Sequence, residues 1–184
     1  MRIIGGDFRG RRLASVGKGD EGARLRPTSD RVRESLFNVL MARFGDRVQG
    51  VAVLDLFAGT GALGLEALSR GAARAVFVES GRVGQRLIRE NIGICGVADR
   101  VTLVGRDARK LGAVTEACGL VFLDPPYGKG LGEVALGAAM AGGWIAPGAL
   151  IVWEEGGAVA VPEEWSLLDE RAYGDTVIRV LEAG

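Results

Sequence analysis

The sequence predicts an α/β fold: a mostly parallel sheet flanked by helices and closed by a C-terminal antiparallel hairpin, with a small basic N-terminal extension. Three observations predict it. From Val51 onward, short apolar runs alternate with segments of helical period, as βαβ units require. A glycine-rich turn follows the first of those runs. The last two runs flank Gly174-Asp175 with no helix between them, which suits a hairpin.

The pattern divides the chain into residues 1–50, a basic extension with one helix, and 51–184, the sheet-bearing domain. In the extension, short strands are expected over 2–4 and 11–14. Val32, Leu36, Val39, Leu40 and Phe44 then fall at helical spacing from Asp30, with Thr28 or Asp30 as the cap and Gly45 as the stop. In the second part, strands are expected over 51–56, 75–78, 101–104, 121–123 and 150–153. Helices are expected over 63–69, closed by Gly71, then 82–92 and 131–141. Residues 165–172 and 176–181 form the hairpin.

Composition removes several functional classes. A chain of 184 residues with 48% hydrophobic residues can bury a core. No apolar run reaches the roughly 20 residues of a membrane helix, and none follows the basic start as in a secretory signal. A cytoplasmic location without membrane contact is expected. Cys95 and Cys118 lack metal-ligand spacing and read as small buried thiols; no metal is expected. Histidine is absent, which excludes imidazole triads. Formal charge balances at 23 basic and 23 acidic residues, yet residues 1–50 hold eleven of the basic and only six of the acidic ones. A basic front on an acidic body suits a polyanionic partner. No apolar helix is left over for an interface, so a monomer is expected.

After the first strand comes Asp55-Leu-Phe-Ala-Gly59-Thr-Gly61-Ala-Leu-Gly64, and Glu79 stands 20 residues beyond Gly59, at the end of the second strand. Glycines permit a tight turn and a close approach of cofactor to backbone, and a carboxylate at the second strand end can accept from two ribose hydroxyls. A dinucleotide would place its pyrophosphate on the helix N-terminus, where Asp55 would repel it. S-adenosylmethionine carries an ammonium and a sulfonium but no phosphate, so a carboxylate is welcome. Asp55, Phe57, Gly59, Gly61, Gly64, Glu79 and Ser80 are therefore cofactor candidates, with Thr28 upstream. Downstream, Asp107 and Ala108 follow the third strand, where Asp107 could accept from an adenine amino group or cap a helix.

Asp124-Pro125-Pro126-Tyr127 follows the fourth strand, and ligands of open α/β sheets bind beyond such strand ends. The carboxylate and an exposed proline carbonyl can accept both protons of an amino group on a base. They would turn its lone pair toward a methyl donor and stabilise the positive charge that develops. Tyr127 can stack on the base, a task for the ring alone. Neither cysteine lies at this strand end, which favours direct transfer to nitrogen over covalent attack on a pyrimidine.

The segment from Asp55 to Arg70 together with Asp124-Pro-Pro-Tyr127 resembles the amino-methylating class I methyltransferases, whose fold is Rossmann-like. Arg2-Ile-Ile-Gly-Gly6, Arg9-Gly-Arg-Arg-Leu13 and Arg26-Pro-Thr-Ser-Asp-Arg-Val-Arg-Glu34 narrow the resemblance to the RsmD family, over nearly the whole chain. That resemblance implies a seven-stranded sheet with the last strand antiparallel. It implies methylation of guanine N2 in small-subunit (16S) ribosomal RNA, free or in a ribosomal particle. It also implies that residues 26–34 pack near the cofactor and target pocket. Arg9, Arg11 and Arg12 would then meet RNA phosphates, with Arg24, Arg26, Arg31 and Arg33 as further candidates. The rival readings are an adenine-N6 methyltransferase acting on DNA or RNA, a non-catalytic RNA-binding subunit, and an NAD(P) oxidoreductase.

Overall fold

The structure, a computed structural model, describes residues 1–17 and 28–184. Seven strands form one sheet: β1 (Ala52–Leu56), β2 (Arg74–Val78), β3 (Val101–Val104), β4 (Cys118–Leu123), β5 (Ile145–Glu155), β6 (Ser166–Tyr173) and β7 (Thr176–Glu182). Their spatial order is β3-β2-β1-β4-β5-β7-β6. β1 to β5 run parallel, and β7 enters antiparallel between β5 and β6. The order reverses between β1 and β4, so the connections after these two strands diverge and leave a crevice beyond their carboxyl ends.

Among the described residues the four α-helices are α1 (Asp30–Phe44), α2 (Ala62–Ser69), α3 (Arg82–Cys95) and α4 (Leu131–Ala141). On one face of the sheet, Leu36, Phe37 and Leu40 of α1 and Leu65 and Leu68 of α2 share a core with Val53, Phe122, Val152 and Val180. The Phe37 and Phe122 rings lie 5.7 Å apart there. On the other face, Ala135, Leu136 and Ala139 of α4 pack with Leu54, Val121, Leu123, Ile151 and Trp153. Residues alternate between the two cores along β4 and β5, so Asp124 and Glu154 continue the face that α1 covers.

The N-terminal arm is docked onto α2 and α3, with Ile3, Phe8 and Leu13 buried. The two short strands expected there reduce to a single bridge between Arg2 and Arg12. The arm's backbone bonds partly to itself, as in Ile3 N–H to the Arg11 carbonyl, and partly to side chains of the helices below it. Glu66 of α2 accepts from the N–H groups of Ile4 (2.8 Å) and Gly5 (2.9 Å). Asn91 of α3 accepts from Ala14 N–H (2.7 Å) and donates to the carbonyls of Ala14 and Thr60. A second correction concerns the start of α1: Ser29, not Thr28 or Asp30, caps it, accepting from Val32 N–H. The Thr28 hydroxyl is engaged elsewhere, as described below.

Glu66 is fully buried and meets two guanidinium groups: Arg70 at 2.8 Å and Arg33 at 3.9 Å. Arg33 is fully buried too, and donates to Asp30 and to the Arg2 carbonyl. Removing one member of such a group strands the others without compensation. Glu66→Ala is therefore expected to destabilise the fold by about 3–5 kcal/mol, read as a lower urea midpoint. A loss under ~1 kcal/mol would deny this cluster its role.

Candidate active site

A cavity of about 1100 Å³ lies at the carboxyl ends of β1 to β5. It gathers Asp55, Phe57, Gly59, Glu79, Ser80, Asp107 and all of Asp124-Pro125-Pro126-Tyr127, which come from four separate strand ends. Thr28, Ser29, Val32 and Arg33 close one side, so the described part of the 26–34 motif does pack on the pocket.

The turn after β1 is braced by carboxylates. Phe57 takes a left-handed backbone (φ 60°), a conformation uncommon for a bulky residue and a mark of strained, functional turns. Glu79 accepts from Gly59 N–H at 2.9 Å and from Gly81 N–H at 2.6 Å, tying the turns after β1 and β2 together. Asp55 accepts from Gly64 N–H at 3.0 Å, in the first turn of α2. Burial raises the Asp55 pKa to about 8; the Gly64 hydrogen bond lowers it and the nearby Glu79 charge adds to the rise.

Gly61, Gly64 and Ala108 do not line the cavity. Gly61 (φ 76°) starts α2, and a Cβ on Gly64 would overlap the Phe77 ring. These two glycines let α2 and its entry turn approach β2, and Ala108 fills the core beneath. Asp107 caps the 3₁₀ turn 108–110 through Arg109 N–H and is also clasped by the Arg109 guanidinium, at 2.5 Å for the shortest contact. That side chain and that N–H hold its pKa down to about 2.

The β4 end is built with help from β5. Leu123 pairs with Trp153 in register, so Asp124 and Glu154 each stand one residue beyond that pair on neighbouring strands. The Tyr127 hydroxyl donates to Glu154 Oε1 (2.5 Å) and bonds Thr176 Oγ1 (3.1 Å). Thr28 Oγ1 donates to Glu154 Oε2 at 3.2 Å. The hydroxyl of Tyr127 thus has partners, although stacking needs its ring alone. Glu155 accepts from Gly128 N–H (3.0 Å) and fixes the loop that follows. Glu154, Tyr173 and Thr176 line the cavity and escaped the sequence reading, since no local motif marks them.

Among the described basic candidates, Arg9, Arg11, Arg12 and Arg31 are exposed. Arg33 is buried in the Glu66 cluster and cannot reach a phosphate. Arg11 donates to the carbonyls of Ile94 (3.0 Å) and Cys95 (2.6 Å), at the C-terminus of α3, and lies over the Phe8 ring. Arg24 and Arg26 lie outside the described residues. Both cysteines are buried, and burial raises their pKa values, to about 11 for Cys118, as inert thiols require. Among the described residues no cluster of three or more His, Cys, Asp or Glu could hold a metal, and no helix is long and apolar enough to cross a membrane.

A sheet of this order, with a glycine turn, an acid at the end of β2 and a Pro-Pro exit from β4, defines a class I methyltransferase. The family model described as Conserved hypothetical protein 95 matches residues 1–182. The chain is 40% identical over 186 residues to ribosomal RNA small subunit methyltransferase D of Escherichia coli K12, covering 99% of this chain and 89% of the relative. The Haemophilus influenzae protein of the same name is 36% identical, with 99% and 93% covered. The solved Escherichia coli yhhF structure superposes with a TM-score of 0.83 at 37% identity, covering 100% of this chain and 97% of the other. The chain belongs to this family, the RsmD methyltransferases.

The Asp55 pKa has a measurable consequence. A group at about 8 in the fold and near 3.8 when unfolded favours the native state fully below 3.8, and that stability is lost as pH rises toward 8. Between pH 5 and 8 the unliganded protein should lose up to about 1.4 kcal/mol per pH unit through this group. Urea titrations should show a shallower decline for Asp55→Asn. The same decline in variant and wild type would contradict the assignment.

Proposed function

We propose that this protein transfers a methyl group from S-adenosylmethionine to the exocyclic N2 amine of a guanine in small-subunit (16S) ribosomal RNA. The observation that carries the reading is the joining of two half-sites in one cavity: the carboxylate-braced glycine turn and the Asp124-Pro-Pro-Tyr exit. The names of the relatives support the RNA substrate.

The residues fit the methyl donor. Glu79 reaches the cavity from the β2 end, where ribose hydroxyls can donate to it. Asp55 is a buried carboxyl whose proton a cationic ligand would displace. Gly84 stands where a Cβ would press on the Glu79 carboxylate and the Gly59 carbonyl, so only a glycine leaves that cradle undisturbed. Phe57 and Leu63 provide apolar lining, and Asp107 lies at the β3 side for an adenine amino group. When bound, S-adenosylmethionine supplies an electrophilic methyl carbon on a sulfonium.

The chain's own residues do the rest. Asp124 and the proline carbonyl accept the two amine protons and hold the base lone pair in line with the methyl carbon. Their negative ends face the charge that grows on nitrogen, and they act most strongly in the transition state. Asp124 is the acceptor for the proton released as the N–C bond forms. The Tyr127 ring, held through its hydroxyl by Glu154 and Thr176, offers a stacking face for the base. Among the described candidates, the exposed Arg9, Arg12 and Arg31 are suited to meet phosphates, which position RNA without reading it.

The direct test is mass spectrometry of nucleosides from small-subunit RNA lacking the modification, incubated with enzyme and S-adenosylmethionine. N2-methylguanosine is expected; N6-methyladenosine, or no product, would overturn the reading. Asp124→Ala should lower single-turnover rates at least about 100-fold, as loss of one preorganised transition-state group does. Calorimetry with S-adenosylhomocysteine should show nearly wild-type affinity for the same variant. Replacing Arg9 and Arg12 with glutamine should flatten the slope of log affinity for single-stranded RNA against log salt by up to about 1.4. Filter binding at several salt concentrations measures it, and an unchanged slope would move the RNA contact elsewhere.

A further inference from the structure

Glu154 is a carboxylate with no part in the steps above except to hold Tyr127. It is 9% exposed, yet it lines the reaction cavity. The carboxyl group is oriented on both sides: Oε1 by the Tyr127 hydroxyl at 2.5 Å and Oε2 by the Thr28 hydroxyl at 3.2 Å. A carboxylate offers about four lone-pair positions. Two hydroxyl donors leave roughly half of that capacity for a ligand. The partner strands set where the ligand must be, since Asp124 and Glu154 each stand one residue past the paired Leu123 and Trp153. Neighbouring strands are about 4.8 Å apart, twice the separation of adjacent polar atoms on a base edge, and both side chains converge on one cavity.

We propose that Glu154 reads the target base by accepting the N1–H of guanine, next to the N2 amine held by Asp124. The inference rests on the guanine-N2 reading and deepens it. On the Watson–Crick edge of guanine, N1–H and N2–H₂ are adjacent donors, and two neighbouring acceptors match them. Adenine presents an N1 lone pair at the corresponding place, which would face a buried carboxylate without a proton between them. A site built to receive a hydrogen rejects a base that lacks it, because its own acceptor is then left unpaired. The same bond pushes electron density from N1–H toward the amine that must attack, so the residue that selects the base also favours its reaction.

The discriminating probe is 2-aminopurine, which keeps the N2 amine but has a lone pair at N1. The guanosine that wild-type enzyme methylates is first mapped by mass spectrometry. The same RNA is then assembled by ligation with 2-aminopurine at that position. Single-turnover rates and KM are measured for both RNAs with wild type and with Glu154→Gln, whose amide can still accept from Tyr127 but can also donate to N1. Wild type should prefer guanine by about 10- to 100-fold, the usual worth of a base-edge pairing. In Glu154→Gln that preference should fall at least about tenfold, with S-adenosylhomocysteine affinity and melting temperature close to wild type. If Glu154 only holds Tyr127, both RNAs slow equally and the ratio stands, which overturns the proposal. Wild type that methylates both RNAs at similar rates overturns it too, whatever the variant's folding. Absence of N2-methylguanosine in the mapping step is a separate outcome: it refutes the guanine-N2 reading before base selection is tested.

Discussion

Glu66 takes a carboxylate into the core at the place where the N-terminal arm, α1 and α2 meet, and much of the pocket's geometry follows from how that carboxylate is satisfied. Its two oxygens accept backbone N–H groups from Ile4 and Gly5, while Arg70 and Arg33 approach from two helices. Arg33 belongs to the same turns of α1 as Val32, which lines the pocket, and its guanidinium returns to the arm through the Arg2 carbonyl. The arm is thus tied down at the Ile4 and Gly5 N–H groups, which its own backbone leaves to Glu66. α2, which carries Glu66, is the helix that begins at the glycine turn. One buried acid therefore ties the wall of the cavity to the floor on which a cofactor would rest.

The cavity itself depends on strand ends rather than on long loops. Asp55, Glu79, Asp124 and Glu154 each stand at or just after the end of a strand, and parallel pairing of β1, β2, β4 and β5 brings those ends to one edge. Elements of a hydrogen-bonded sheet keep their spacing better than loops do, and catalytic geometry tolerates little error. The acids differ in surroundings: Asp55 is shut away from water, Asp107 is clasped by an arginine, and Glu154 is held by two hydroxyls. Similar side chains can then serve different tasks within one space.

The parallel strands were legible because burial on both faces leaves nearly continuous apolar runs, and the glycine turn because backbone constraints act over a few residues. The errors have physical causes. Strand β4 starts at Cys118 and β5 at Ile145, ahead of the apolar runs at Val121 and Leu150, because pairing continues through Gly119 and past a register shift. Near the N-terminus, the strands expected over 2–4 and 11–14 shrink to one bridge, because the N–H groups of Ile4, Gly5 and Ala14 turn to side chains of α2 and α3 instead. Arg33 counted as a surface cation until the fold placed an acid from α2 beside it. Glu154, Tyr173 and Thr176 carry no local signal; the sheet order brings them to the cavity that Tyr127 and Thr28 share. Residues that act through long-range neighbours are invisible to spacing, and those that shape a turn are not.

Gly64 shows what this division means for inherited change. Its missing side chain makes room for the Phe77 ring and leaves its N–H on Asp55, although no part of it faces the cavity. A larger residue there injures the packing of α2 against β2, so the damage is done whether or not any ligand is present. In a cell, such an allele lowers the amount of protein by feeding unfolded chains to proteases. If the proposed function holds, an allele at the β4 exit would instead leave a full complement of folded but idle molecules, still able to occupy their binding partner. Two mutations in one site would then produce opposite dosage: one would behave as a deletion, the other as a competitor.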